Sequence, residues 1–386
     1  MSEVLKVFVR ATNGKPRFAL VLAAVVAASA AIYFAVHRAG SHTDSAGNGA
    51  RDSDRARATE AARDLEERRL ANEKISAAQK ESADIYDASL KTLEEGRLPE
   101  AEDGFRRALA AWEVSHGSGH PFLATILDDL VGVLRQRGRL SDAEPLLQHA
   151  LTTQEKALGR DHPQLAPALR NLADVLRDLG RIEEAEAVAR RALALGETDD
   201  ALNSLALILR AKGERAEAER LLRRALASAQ ERSGPELPQL GHFLHSLALV
   251  QQDAGRLDEA ESSLRRAVAI GETALTPGHP DTCNWRATLA RVLHVRGQLA
   301  DAERLYRRNV ELAEKRGGAD DPGLVMPLNN LAILLHDTKR LPEAGRAAQR
   351  AVEIATKVLG PTHPQTRVSA ETLRSITDAL PPPADH

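Results

Sequence analysis

Aromatic residues are scarce in this 386-residue chain: two Trp, three Tyr and six Phe, 3% of the total. A core built without large rings must rely on Leu, Ala and Val in close contact, which suits packed helices. A single cysteine, Cys283, rules out an internal disulfide framework and a cysteine-based zinc site. No charge of either sign dominates. The formal net charge is -3, so no basic excess points to nucleic acid or to an acidic substrate. Nucleophile elbow, glycine-rich phosphate loop and HExxH motif are all missing from the sequence.

One long apolar run is present. Phe18 to Val36, FALVLAAVVAASAAIYFAV, holds nineteen residues without a charge. As a helix rising about 1.5 Å per residue it spans roughly 28 Å, close to a bilayer core. Lys6, Arg10, Lys15 and Arg17 precede it; Arg38, Arg51 and Arg55 follow. We therefore expect a basic tail over 1–17, a transmembrane helix over 18–36 and a flexible linker over 37–54. The positive-inside rule favours a cytoplasmic N-terminus and an exported remainder. A cleaved signal peptide is the competing reading, because ASA and SAA offer cleavage sites. The expected location is a bacterial inner membrane, with the bulk of the chain periplasmic. Residues 55–77 read as a charged lead-in helix whose apolar positions do not sustain a heptad.

The remainder is periodic. The words GRLPEAE at Gly96, GRLSDAE at Gly138, GRIEEAE at Gly180, GERAEAE at Gly213, GRLDEAE at Gly255, GQLADAE at Gly297 and KRLPEAG at Lys339 recur at steps of 42, 42, 33, 42, 42 and 42. The short step reads as nine residues lost from a connecting loop. Eight residues before the Gly stands Leu130, Leu172, Leu205, Leu247, Leu289 or Leu331, followed by Val131 or an Ala. Five after it stands Ala101, Ala143, Ala185, Ala218, Ala260, Ala302 or Ala344. Twelve after it the residue is Ala, except at Asn309. Spacings of three, four and seven place these positions on one helical face. Each copy is thus an antiparallel helix pair, too small to bury its face without neighbours.

HPQLAPALRNLADVLRDLGRIEEAEAVARRAL, His162 to Leu193, carries the whole pattern, and it resembles the tetratricopeptide repeat in the 42-residue form of kinesin light chains. The resemblance covers about Ala77 to Leu380. It implies an all-α, right-handed superhelical solenoid in which the first helix of each pair lines a concave groove. Helix pairs are expected near 78–116, 120–158, 162–196, 198–231, 237–274, 279–316 and 321–358, with a cap helix at 364–379 and a tail over 381–386. A kinesin-adaptor role does not carry over, since a membrane span stands where such light chains have a heptad coiled coil.

Four His-Pro pairs begin at His120, His162, His279 and His363; Asp321-Pro322 and Leu237-Pro238 share their register. Pro suits the first turn of a helix and forces the preceding residue out of helical geometry. Metal binding by the column fails on spacing, since packed helices lie about 8–10 Å apart. Pro167 and Pro327 predict delayed helix starts or mild kinks.

Nine residues before each Gly runs a polar column: Asp129, Asn171, Ser204, Ser246, Thr288 and Asn330. It is expected to face water or a ligand in the groove. The family resemblance implies that Asn171 and Asn330 hydrogen-bond the backbone of a bound extended peptide. Neighbouring groove candidates are Arg170, Asp174, Arg177, Asn203, Arg210, His242, His245, Asn284, Arg291, His294, Asn329 and His336. The alternative is a solvated lining with no dedicated ligand. The Arg-Arg doublets from Arg106 to Arg308 each sit four residues after a Glu, a spacing that neutralises them on an exposed helix.

The function expected is a membrane-anchored interaction scaffold that holds an extended segment of a protein partner in the groove. No cofactor, metal, nucleic acid or small-molecule substrate is implied, and no catalytic residue stands out. The alternatives are a structural part of an envelope complex that uses its outer face, and an enzyme, which the in-register polar residues disfavour because they do not converge.

Overall fold

The computed structural model describes residues 48–117, 120, 122–233 and 238–379. The apolar run at 18–36, residues 1–17 and 37–47 and the final tail lie outside them, whereas residues 48–54, expected as the end of a flexible linker, are the start of a helix. No helix among the described residues is long and apolar enough to cross a membrane.

Among the described residues fifteen α-helices follow one another: α1 (Asn48–Glu94), α2 (Leu98–His116), α3 (Phe122–Gln136), α4 (Leu140–Leu158), α5 (Ala166–Asp178), α6 (Ile182–Leu195), α7 (Asp199–Lys212), α8 (Arg215–Ser233), α9 (Pro238–Asp253), α10 (Leu257–Ala274), α11 (Pro280–Val295), α12 (Leu299–Gly317), α13 (Val325–Asp337), α14 (Leu341–Val358) and α15 (Pro364–Asp378). Short 3-10 turns, Pro163–Leu165 and Pro322–Leu324, precede α5 and α13. These are the delayed starts that Pro167 and Pro327 predict, and each proline then falls in the first turn of its α-helix. Residues from Ile75 onward form one unit of sequentially packed pairs. The lead-in segment and the first repeat helix are continuous as α1, whose side chains from Glu60 to Lys74 are all exposed.

The repeat columns are the core. All seven alanines five residues after the turn, Ala101 to Ala344, have no exposed surface. With no free surface around them, a larger side chain here would force the packed helices apart. Leu130, Leu172, Leu205, Leu247, Leu289 and Leu331 are all buried beside them. One continuous apolar cluster runs from Leu98 to Ile376. The turn glycines Gly96, Gly138, Gly180, Gly213, Gly255 and Gly297 all have positive φ, and Lys339 adopts the same left-handed geometry at 63° without being glycine.

Two features depart from the sequence reading. The short repeat does not lose its nine residues from a loop alone. Helix α6 has 14 residues where α4 and α8 have 19, so the deletion removes the end of the second helix as well as linker. The sixth pair has also exchanged core for polarity. Arg286 stands where its repeat equivalents are Leu244 and Leu328, and Asn309 where they are Ala267 and Ala351. Both are buried; Arg286 Nη1 donates to Asn309 Oδ1 at 2.8 Å and Nη2 to Glu272 Oε1 at 2.8 Å. Asn309 Nδ2 in turn donates to the Cys283 carbonyl at 2.7 Å.

The first pair is polarised on its open side. Where the second pair buries Leu123, Ile126, Leu127, Leu130 and Leu134, the first has Glu81, Asp84, Ile85, Ala88 and Thr92 at the same register. Among the described residues no preceding pair covers this face, and a terminal repeat so placed needs a polar one.

At Gly241, inside α9, a Cβ would overlap the indole of Trp285, which is almost wholly buried. An alanine in a helix interior ordinarily stabilises by about 0.5–1 kcal/mol relative to glycine. Gly241→Ala is expected to reverse that sign, costing about 1–3 kcal/mol as the indole is displaced. Gly132→Ala in α3, with open space around the new methyl, keeps the ordinary gain. Urea unfolding midpoints of the two variants give the comparison.

Candidate functional site

The first helices α3, α5, α7, α9, α11 and α13 present equivalent rows on one side of the solenoid. A cavity of about 250 Å³ opens between α3, α5, α7 and α9, lined by Arg135, Arg170, Asp174, Arg177, Asp200, Asn203, Ser204, Leu207, His242 and Phe243. Five candidates from the sequence therefore meet there: Arg170, Asp174, Arg177, Asn203 and His242. Arg210, His245, Asn284, Arg291, His294, Asn329, Asn330 and His336 belong to the same rows but do not line this cavity.

The polar column requires a correction. It was expected to face groove solvent or ligand throughout, but Asn171, Ser204, Ser246 and Thr288 are buried. The column lies on the seam between successive first helices. Asn171 Nδ2 donates to the Ala124 carbonyl of the preceding first helix at 3.3 Å, and its Oδ1 accepts from Arg170. Ser204 Oγ donates to Asp174 Oδ1 at 2.8 Å. Tyr86 donates to Asp129 at 2.7 Å. Thr288 Oγ1 donates to the Asn284 carbonyl and so receives the Nε2–H of His245 at 3.0 Å. Asn330 is half-buried and has no side-chain hydrogen bond among the described residues.

Charge on the concave rows is mostly committed between neighbouring pairs. Arg135 reaches Asp178 at 2.6 Å, Arg210 reaches Asp253 at 2.6 Å and His294 reaches Asp337 at 3.2 Å, each linking one first helix to the next. Arg170 binds Asp128 at 2.7 Å, and Arg177 binds Asp174 at 2.9 Å and Asp178 at 2.8 Å. Burial works against the Arg177 charge, yet Asp174 and Asp178 hold its pKa above the ordinary range. Burial pushes Asp128 upward despite Arg170. Burial likewise drives His245 down to about 4, with the positive charges of His242, Arg210 and Arg291 acting in the same direction. Asp281 stays below the usual carboxylate range: burial raises it, but His242, 3.3 Å away, and the charge of His279 outweigh that.

Arg291 differs from these arginines. It occupies the register of Asp174 and Leu207, is exposed, and makes no hydrogen bond or ion pair among the described residues. Its equivalents on either side are apolar, the half-buried Leu249 and Ile333, which is 40% exposed. Met326 is 42% exposed at the start of α13. Two buried acceptors on these rows, Asn203 Oδ1 and Asn329 Oδ1, have no hydrogen-bond partner among the described residues.

The His-Pro residues cap helices. Nδ1 of His162, His279 and His363 each accepts the backbone N–H two residues on, at 3.2 Å, and Asp321 does the same with its carboxylate. His120 Nδ1 accepts from Phe122 N and from the Trp112 indole. The sequence exposed the proline's part in these turns and not the imidazole's. No group of three or more potential ligands among the described residues is arranged to hold a metal ion.

The outer face carries a second lattice of charge. The doublet arginines Arg106, Arg190, Arg223, Arg265 and Arg307 pair with the Glu four residues upstream. The Arg that follows the turn glycine was not singled out from sequence. Arg139, Arg181 and Arg256, with Arg340 after Lys339, each reach back to Glu102, Glu144, Glu219 or Glu303 of the preceding pair. Its signal was the GR word itself, 37 residues beyond a Glu.

The tetratricopeptide repeat model matches residues 88–156, 129–198, 197–273, 244–315, 281–344 and 323–373. The chain belongs to the tetratricopeptide repeat family, whose members are generally non-enzymatic scaffolds for protein partners. Among solved structures it is similar to a Podosopora anserina putative kinesin light chain with nearly identical TPR-like repeats, at 25% identity over 51% of this chain and 97% of that one, with a TM-score of 0.40. BtubC (BKLC) from P. vanneervenii matches at 15% identity, over 65% of this chain and 94% of that one, with a TM-score of 0.45. The APC/C hetero-tetramer Cut9-Hcn1 matches at 14% identity over 76% and 52%, with a TM-score of 0.51, a likeness of fold alone. No curated protein matches.

Proposed function

We propose that this protein is a membrane-anchored scaffold that holds an extended segment of a partner protein along its concave rows. Family membership supports partner binding. The anchor rests on the charge-free run Phe18 to Val36, and the periplasmic placement on the lysines and arginines before it. One observation carries the groove reading: Arg291 is a guanidinium left uncommitted where the other concave arginines are all paired. With Leu249, Met326 and Ile333 around its register, it suits a segment that offers a carboxylate beside apolar side chains.

Crosslinked capture from native membranes tests this. Arg291→Glu is expected to lower recovery of the partner at least tenfold with an unchanged helical circular dichroism spectrum. Asn330→Ala is expected to weaken it less. Asn171→Ala should act mainly on stability, by about 1–2 kcal/mol, since its amide already serves Ala124. Capture that is indifferent to Arg291→Glu would move the binding surface to the outer face.

A further inference from the structure

Four histidines cap helices in this solenoid, and one of them does more. His363 is 7% exposed, and both of its ring nitrogens are used. Nδ1 accepts from Gln365 N at 3.2 Å, as in the other caps. Nε2 lies 2.8 Å from the Gln136 carbonyl, 227 residues away. The neutral imidazole protonated at Nε2 satisfies both bonds, one as acceptor and one as donor. Gln136 is the last residue of α3, and a helix leaves its last carbonyls without partners. His363 therefore caps the start of α15 and the end of α3 together.

The backbones also meet at this place. A Cβ on Gly138 would stand 3.0 Å from Pro364 Cδ and 3.3 Å from the His363 ring. The equivalent turn glycines Gly96, Gly180, Gly213, Gly255 and Gly297 have nothing within 4 Å. His162 and His279 make the same cap but no corresponding long-range bond among the described residues. Turns such as Gly138 follow the first helix of a pair, and turns such as His363 follow the second. They lie on opposite edges of the ribbon of helices. Contact between them means that the coil comes round between the second pair and the cap helix, so that one edge rests on the other.

We propose that His363 is a latch that joins the cap helix to the second repeat, fixing the superhelical coil at a set aperture that must unlatch to widen. The consequence for partner entry rests on the groove reading above; the latch itself does not, and the test below reads only the latch.

The full-length chain carrying Cys283→Ser is spin-labelled at Gln148→Cys on α4 and Glu371→Cys on α15, both exposed positions. A single narrow distance distribution is expected. His363→Asn keeps a capping oxygen at the helix start but cannot span to Gln136, so the distribution should lengthen and broaden. His162→Asn, the same change at an unlatched cap, should leave it as it was. Gly138→Asn provides a second route: Asn tolerates positive φ, but its Cβ crowds Pro364, whereas Gly180→Asn enters open space. Gly138→Asn should reproduce the His363→Asn distribution and Gly180→Asn the parent's. A parent distribution that is already broad, or variants at 363 and 138 that superimpose on the parent, would overturn the latch.

Discussion

Asn309→Ala is expected to destabilise the solenoid by about 3 kcal/mol, although alanine is the residue that every other repeat places at this position. The reason is Arg286. Its guanidinium is almost fully buried, and Asn309 supplies one of its two protein oxygen acceptors, with Cys283 Sγ a longer third contact at 3.9 Å. Removing that acceptor leaves Nη1 of the buried guanidinium with only the long contact to Cys283 Sγ, while Nη2 keeps Glu272. Arg286→Leu alone leaves the Asn309 carboxamide oxygen without its donor, at about 1–3 kcal/mol. The double variant Arg286→Leu with Asn309→Ala installs the pair used by the neighbouring repeats. It should recover the parent's urea midpoint or exceed it, because replacing a buried charged network by matched apolar groups is often neutral or stabilising. The double-mutant cycle then shows strong coupling. A double variant as unstable as Asn309→Ala would show that this pair no longer has the space its neighbours fill with Leu and Ala.

Acid is expected to weaken the fold through His245. Its folded pKa is driven down to about 4 from an ordinary 6.5, chiefly by burial, with positive neighbours adding to the effect. Between these values the unfolded chain binds the proton and the folded chain does not. The stabilisation is therefore complete above about pH 7 and is lost progressively as pH falls toward 4. Its magnitude is on the order of 3 kcal/mol. His120, lowered by burial and by the charge of His116, acts in the same direction. Denaturant unfolding at pH 7.5 and 4.5 should show this loss in the parent, and His245→Gln should shrink it. An equal loss in parent and variant would place the sensitivity elsewhere.

Most of the fold was legible because each helix face recurs with the same spacing, so seven copies speak for one geometry. What a single repeat could not show is where its neighbour lies. The column from Asp129 to Asn330 sits next to the core leucines, about one residue's rotation around the helix. Only the packed array shows that this direction meets the adjoining first helix and not the groove. For the same reason Asn171 reads as a ligand contact in the sequence and is an inter-helix strut in the structure. The short step showed that nine residues are missing but not that α6 gives up part of its length. Arg291 was legible as a groove residue, but its distinction is that the other concave arginines are paired, and those partners are contributed by other elements. The contact of His363 with Gln136 depends on curvature accumulated over many pairs, which no local pattern encodes.

A stack of like units has no intrinsic length. If the foremost pair offered the leucines found at 123, 126, 127, 130 and 134, the back of another molecule could dock there, and the rod would grow into a filament of molecules joined head to tail. Glu81, Asp84 and the small Ala88 and Thr92 remove the oily contact that such growth requires. The polar face at this end thus works against end-to-end growth of the stack.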